Sequence, residues 1–542
     1  MKRTPWRGLG LVVLLVWLVA YPISIVLLSS VRDTRGFTLG PILAFVHRPD
    51  EWAALWATLW ISVASVILSA LIGVPLAFIF ERLEFPGRRL LGGLVALPVV
   101  LPSLVGVIAF LFLYGESGFA GRIVAGLLGR SEAPWRLTGA PAILLVHAYS
   151  MYVYFYLFTR AGLARMDGSM LEAAQALGAS RWETLWRVTL PLLKPQLIAG
   201  AVLVFMTSLG SFSAPYLFGG GFRVMTTQIM ASKTNGDMGA AMVETTVLAL
   251  AAVIGLLFFR QSDATATVSV GKGAAPQART LSAGTGWAAA VLGWAFAIFL
   301  LLPHLTLLLM SFVPAGTWTT ETFPPVYSFR NYGAFVTAER WRPMFNSIWM
   351  ALVATALSLA LAVWAGRLVA RGFTRFRSSI EWLINVPWAV PGTVLAIALA
   401  TTFSVNSPLT GRWVLVGTMA ILPLAYLIRN IPIAGGAIIA GYRQLDPALD
   451  EAAASLGATR SEALRRVTLP LLKPALLAGG ALAFATAVGD FVASIVLYTY
   501  ETRPVSMEIL GDLRVFDLGG AAAYGVILML VSAVAMVIGT RR

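Results

Sequence analysis

Cysteine is missing from all 542 residues, which excludes a disulfide scaffold, a thiolate metal site and a cysteine nucleophile. Histidine is nearly as scarce. His47, His147 and His304 are the only three, too scattered along the chain to suggest a metal cluster. Charged residues make up 12% of the chain, too few for a soluble protein of this length, which would otherwise be read as roughly three or four domains. A nucleotide-phosphate loop is absent too. The one Gly-Lys pair, Gly271-Lys272, has Ala266 where the first glycine should stand and Gly273 where Ser or Thr is required.

What is present is apolar. Hydrophobic residues reach 58%, and the mean hydropathy of +0.80 places the chain among proteins that cross a membrane many times. The formal net charge of +15 invites a nucleic-acid reading. The basic residues nevertheless fall in short clusters beside apolar runs, where membrane topology puts them, so the expected surroundings are a lipid bilayer and no nucleic acid.

Apolar runs of spanning length fall at 8–31, 54–80, 90–114, 138–162, 195–217 and 238–260, then at 287–312, 344–370, 380–404, 413–440, 474–497 and 518–540. Runs of this length without strict alternation satisfy their backbone in lipid only as helices, so the expected fold class is an all-α polytopic membrane protein. It has twelve transmembrane helices in two sets of six. Pro98 and Pro102 in the third run, and Pro387 and Pro391 in the ninth, predict kinks or close packing within continuous spans. Residues 1–30 begin with Lys2, Arg3 and Arg7, the make-up of a signal peptide. The many spans that follow, and a run long enough to cross a bilayer, favour an uncleaved first span.

With the amino terminus inside, the inside loops collect the basic clusters. They hold Arg82, Arg88 and Arg89; Arg165, Arg181, Arg187 and Lys194; Lys272 and Arg279; Arg367, Arg371, Arg375 and Arg377; Arg443, Arg460, Arg465, Arg466 and Lys473; and Arg541 and Arg542. Residues 261–286, rich in Ala, Thr, Ser and Gly, read as a flexible linker between the sixth and seventh runs. Entering and leaving on the same side makes the two halves parallel repeats about an axis along the membrane normal, with a substrate path between them. LPVVLPSLVG in the third run and VPWAVPGTVL in the ninth echo the same duplication.

The strongest echo is a polar stretch. EAAQALGASRWETLWRVTLPLLKPQLIAG at 172–200 returns as EAAASLGATRSEALRRVTLPLLKPALLAG at 451–479, a shift of 279 residues, on the predicted cytoplasmic side in each half. It predicts a short helix capped by Asp167 or Ser169, a break at Gly178, and a second short helix ended by Leu190-Pro191 and Lys194-Pro195. Surface-lying amphipathic helices are the plain alternative. Against it, Ala173, Ala174 and Gly178 make a small face suited to close approach by another backbone, and two matching knobs imply a partner with two matching sockets.

Glu172-Ala173-Ala174, Gly178 and Leu190-Pro191, repeated as Glu451-Ala452-Ala453, Gly457 and Leu469-Pro470, resemble the EAA loop of the membrane subunits of binding-protein-dependent ABC importers. The resemblance covers nearly the whole chain and implies the type I importer permease fold with both halves fused. It implies that each loop docks in a groove of an ATP-hydrolysing subunit. Glu172 and Glu451 would pair with a basic residue there, the four alanines would pack in the groove, and Gly178 and Gly457 would set the turn. The expected partners are two copies of an ABC ATPase subunit and an external, periplasmic solute-binding protein. The chain itself is expected to be no enzyme and to bind no cofactor, ATP and Mg belonging to the partner. The expected location is the cell inner membrane, with the amino terminus and both loops cytoplasmic. The chain then divides into a first span and external loop (1–53), a first permease domain (54–260, loop 165–195), the linker (261–286), a seventh span and external loop (287–343) and a second permease domain (344–540, loop 444–474).

Polar groups inside spans are costly unless they face protein or water, so they are the candidates for the translocation path. They are His147, Tyr149 and Tyr152 in the fourth span, Ser208 and Ser211 in the fifth, Glu244 in the sixth, Asn385 in the ninth, Arg429 and Asn430 in the tenth and Asp490 in the eleventh. Asp490 either lines the path or forms an internal salt bridge. Arg429 reads as structural and nearer the cytoplasmic end, Glu244 has the outer boundary as its alternative, and the tyrosines have packing or interface anchoring as theirs. Residues 489–509, GDFVASIVLYTYETRPVSMEI, resemble the matching segment of fused ferric-iron permeases, and the overall layout is also similar to fused thiamine permeases. Ferric iron is the expected solute, with thiamine, polyamine, phosphonate and sulfate as alternatives within the same machine. Two other classes compete, an ion-coupled secondary transporter and a non-transporting membrane scaffold. The first predicts transport by the lone chain, and the second gives no reason for Glu172→Lys or Glu451→Lys to stop uptake.

Overall fold

The computed structural model of the protein describes residues 6, 8–33, 36–263, 279–280, 283–319, 321–372 and 374–540. Most of the expected linker lies outside the described residues, including Ala266, Gly271, Lys272 and Gly273, as do Lys2, Arg3, Arg7, Arg541 and Arg542.

The apolar runs are helices. In the first half they are α1 (Leu9–Ser29), α2 (Pro49–Arg82), α3 (Ser103–Leu127, interrupted after Tyr114) and α4 (Gly139–Ala164). Then come the short loop helix α5 (Gly168–Ala176), α6 (Arg181–Leu209), the short α7 (Met225–Thr234) and α8 (Met238–Asp263). The second half has α9 (Gly284–Met310), α10 (Ala338–Ala370), α11 (Arg377–Ala389), α12 (Gly392–Thr402) and α13 (Ile421–Gln444). It closes with α14 (Ala448–Ser455), α15 (Arg460–Val488), α16 (Val505–Arg514) and α17 (Leu518–Thr540). Among the described residues, eleven helices are long and apolar enough to cross a membrane, and α11 with α12 makes a twelfth, bent by 106°. Two strand ladders of two residues each are the small departure from an all-helical chain.

Within each half the core is a helical pair, α2 against α4 and α10 against α13. Gly73 permits the first pairing, since a methyl group there would collide with the Tyr152 carbonyl. The leading helices are exchanged. α1 packs on α11 and α12 of the second half, with Leu11, Leu15, Leu18 and Val19 in one core with Leu383 and Ile384. α9 packs on the third span of the first half, where Ala290, Ala297 and Leu300 meet Phe85 and Leu91. Large apolar side chains such as Trp56, Leu71, Ile254 and Leu292 remain outward, as a lipid-facing surface requires.

The prolines do more than kink. In the third span a short helix Arg88–Leu94 and a tight turn Leu97–Val100 precede Ser103, and in the ninth Val390 and Pro391 separate α11 from α12. Proline donates no hydrogen bond and forces the residue before it out of the helical region. Leu101 and Val390 accordingly have ψ of 125° and 124°. Tyr152 and Tyr156 donate to the freed carbonyls of Val95 and Gly92 at 2.6 and 3.0 Å, which makes the break tolerable inside the protein. The fifth and eleventh spans also end before the expected 217 and 497. Each stops at a glycine, Gly210 or Gly489, and a separate short helix follows, Ser213–Phe218 or Val492–Leu497.

Candidate functional site

The two repeated loops adopt the same geometry. In the first, the Asp167 side chain accepts from Ser169 N at 3.0 Å and caps α5; in the second, Asp446 accepts from Ala448 N at 2.9 Å. Each short helix ends where a glycine takes a left-handed conformation, φ +85° at Gly178 and +83° at Gly457. The next residue then donates back, Ala179 N to Ala174 O and Ala458 N to Ala453 O, both at 3.0 Å. Nothing lies within 4 Å of a Cβ added at either glycine, so backbone conformation, not space, demands glycine here. A reciprocal cap, Ser180 with Glu183 and Thr459 with Glu462, starts the next helix.

The expected proline stop after that second short helix is corrected. The helix runs on into α6 and α15 through one widened turn, Leu185–Thr189 and Leu464–Thr468. The wide turn restarts the α-helix so that Pro191 and Pro470 stand in its first turn, where no N–H is needed. Each loop is therefore one rigid piece with a span.

Glu172, Ala173, Glu451 and Ala452 are exposed, and neither glutamate makes an ion pair among the described residues. Ala174 is half-buried and Ala453 buried against its own chain, so the outward small face is narrower than the sequence suggests. Leu177 and Leu456 complete it, exposed by 89% and 88%; the sequence marks them only as helix formers, with nothing local to show which way they face. The loops differ also in an ion pair. Asp450 of the second is held by Arg371 at 3.0 Å, whereas its counterpart in the first is Leu171.

At the other end of α6 and α15 the two halves touch. Phe212 and Phe491, 279 residues apart, meet with ring centroids 5.6 Å apart, and both are buried. Beside them Gly489 lies against Pro102, where an added Cβ would fall 2.5 Å from the proline side chain. Gly210 lies reciprocally against Pro391, with 3.4 Å of room. Lys233 donates to Val496 O at 2.7 Å and Arg514 to Tyr216 Oη at 2.8 Å, each bond crossing between halves. Burial holds the Lys233 ammonium below its usual range, a cost the carbonyl bond partly offsets. The broken proline segments thus supply the surfaces on which the opposite half closes.

Of the polar span residues, the structure brings three together. His147 Nε2 bonds Ser211 Oγ at 2.9 Å, and its Nδ1 faces Ser208 Oγ at 3.2 Å and Ser65 Oγ at 2.9 Å. Ser65 went unread, though Thr58, Ser62, Ser65 and Ser69 recur at helical spacing and form one buried stripe on α2. Asp490, the counterpart of Ser211, pairs with Arg429 at 2.6 Å and accepts from Ala493 N at 2.8 Å. Arg429 is corrected in depth. α13 begins at Ile421 and not at 413, which moves this arginine into the half of its helix away from the loops, about two turns from its start and packed over Gly392. Asn430 bonds Ala483 O and Thr486 within its own half. Tyr149 donates to Leu300 O at 2.6 Å and so fastens α4 to α9. Asn385 is exposed on α11, bonded to Glu381 O of the same helix. Glu244 is fully buried between α2, α7 and α8, apart from the other candidates.

The sequence matches the family of binding-protein-dependent transport system inner membrane components over residues 36–264 and again over 358–541. It is 28% identical over 518 residues to a probable ABC transporter permease protein of Sinorhizobium fredii, covering 93% of this chain and 90% of that one. It is 26% identical over 533 residues to a ferric transport system permease protein of Actinobacillus pleuropneumoniae, covering 96% of this chain and 76% of the relative. A molybdenum transport system permease protein of Escherichia coli is 36% identical over 169 residues, 31% of this chain and 72% of that protein.

Proposed function

Because the chain belongs to the family of binding-protein-dependent transport system inner membrane components, a transport permease and not an enzyme, we propose that it is the fused membrane subunit of an ATP-driven importer. Two copies of a separate ATPase subunit dock on the loops at 165–195 and 444–474, which face the cytoplasm, and an external binding protein delivers solute to the opposite side. The observation that carries this reading is the pair of loops, alike in cap, left-handed glycine and widened turn, each continuous with a span that ends at the contact between halves.

Closure of the ATPase pair draws the loops together and turns the halves as rigid bodies. The contact of Phe212 with Phe491, Gly489 with Pro102 and Gly210 with Pro391 then separates, opening the path outward. ATP hydrolysis and release restore it. The path begins at this contact and passes Ser211, Ser208 and His147 of one half and the Arg429–Asp490 pair of the other. Neither ATP nor Mg binds this chain.

Ferric iron is the proposed cargo, since the likeness to a ferric transport permease runs along 96% of the chain. The likeness to a molybdenum transport permease is stronger per residue but confined to a third of the chain, and it supports an oxyanion as the second reading. The test is reconstitution with the ATPase and binding protein encoded nearby, followed by uptake of labelled ferric ion and of molybdate. ATP-dependent uptake is expected, and the double substitution Glu172→Lys with Glu451→Lys is expected to abolish it while the protein still inserts. Uptake by the lone chain on an ion gradient overturns the proposal.

A further inference from the structure

The two halves solve one electrostatic problem differently. In the second half, Arg340 at the start of α10 lies between Asp512 and Asp517, at 2.5 and 2.9 Å, and Tyr524 donates to the Arg340 carbonyl oxygen at 2.6 Å. Outside the loops the register of the repeat shifts: Trp52 and Trp60 match Trp341 and Trp349, which sets Glu51 opposite Arg340, and Met225 and Val505 donate alike to Thr58 and Ser347, which sets Ser232, Asp237 and Glu244 opposite Asp512, Asp517 and Tyr524. The first half thus has an acid where the second has its cation, and a second acid where the second has a phenol.

Both acids are buried, Glu51 exposed by 1% and Glu244 by 0%. Gln228 Nε2 donates to Glu51 Oε1 at 3.3 Å and Ser232 Oγ to Glu244 Oε1 at 2.6 Å. The remaining oxygen of each, Oε2, is buried with no donor, and the two partners Gln228 and Ser232 stand one turn apart on α7, which sets the two carboxyl groups side by side against that helix. Two ionised carboxylates cannot sit so in a water-poor site, because each offers only acceptors and repels the other. Of the charged groups facing them, Arg48 stands 3.9 Å from Glu51 Oε1 on a half-exposed side chain, and Asp237 adds further negative charge. Lys233 turns to Val496, Arg223 to Gln228 and His47 to its own helix. Of the other elements against α8, α12 has no ionisable side chain, α6 carries its own at the loop end, α1 has Tyr21 alone, and α11 pairs Glu381 with Arg377.

We propose that Glu51 and Glu244 bind one proton between them, the O–H of one carboxyl donating to the carboxylate of the other, and that this proton takes the place that Arg340 fills in the second half. No cluster of three metal-binding side chains occurs among the described residues. The shared proton ties α2 to α7 and α8. Through α7 it also supports the Lys233 bond across the halves.

The test uses the full chain in lipid nanodiscs. Infrared spectra at about pH 7 are expected to show a protonated-carboxyl band that is lost in Glu51→Gln and in Glu244→Gln. The native form holds one proton more than the unfolded chain, whose carboxyls ionise near about pH 4. Wild-type melting temperature should therefore fall as pH rises from about 6 to about 9, and both glutamine variants should lose that slope. Glu51→Arg, which installs the cation of the second half, should fold, lack the band and show no slope; it decides the matter if a glutamine variant fails to insert. A band or slope unchanged in the variants overturns the proposal. So does a melting temperature set at fixed pH by sodium chloride, calcium chloride or a chelator, which would assign a metal cation to the site.

Discussion

Phe212 and Phe491 occupy equivalent positions in the two halves, and their rings meet at 5.6 Å where those halves join. Each follows the glycine and one polar residue that end a span continuous with a surface loop, so movement of a loop reaches this pair through a single helix.

Replacing both rings by alanine removes about 1 kcal/mol of aromatic pairing, before any loss of packing. The closed contact is expected to weaken by about fivefold or more. Efflux of a cargo-sized solute from proteoliposomes without ATP should rise accordingly. An unchanged leak from a protein of normal melting temperature would remove the pair from the seal.

The reciprocal glycines are not equally tight. Gly489→Ala forces a methyl group into the Pro102 side chain, whereas Gly210→Ala finds ordinary contact distance to Pro391. The first should cost about 1–3 kcal/mol in the closed state and the second much less. Crosslinking between residues 212 and 491, after replacement of both by cysteine, would read the difference. Equal loss in both would show that the backbone, not the added methyl, sets the spacing.

Asp490 is buried, while a third of the Arg429 side chain is exposed. Asp490→Asn leaves the guanidinium without its partner and is expected to cost about 3 kcal/mol. Adding Arg429→Gln removes the stranded charge and should recover most of that loss in thermal melts. A double variant no better than the single one would mean that the stranded guanidinium is not the source of the loss.

Leu177 and Leu456 touch almost nothing in this chain. Leu177→Asp with Leu456→Asp should leave melting within about 0.5 kcal/mol of the parent, since exposed substitutions seldom cost more. Capture of the ATPase subunit on solubilised protein should nevertheless fall steeply. Full capture would place the docking surface elsewhere.

The helical membrane class, the duplication, both loops, the Asp167 cap and the hinge glycines were legible in the chain, because they depend on local physics. Lipid leaves no other backbone solution for long apolar runs. Caps and left-handed turns are set by residues three or four apart. The tertiary structure alone decided how the halves meet. Pro102 and Pro391 read as kinks or close packing, and only the fold showed that what each packs against is a glycine of the opposite half. The exchange of α1 and α9 leaves no mark in either sequence, since an apolar helix serves equally well against any apolar neighbour. The fates of the buried acids were decided in the same way. Asp490 and Glu244 are alike as acids within apolar runs, and only the packing gave one an arginine and the other a serine hydroxyl with no cation. A buried charge is governed by its nearest partner in space, and hydropathy carries no record of that partner.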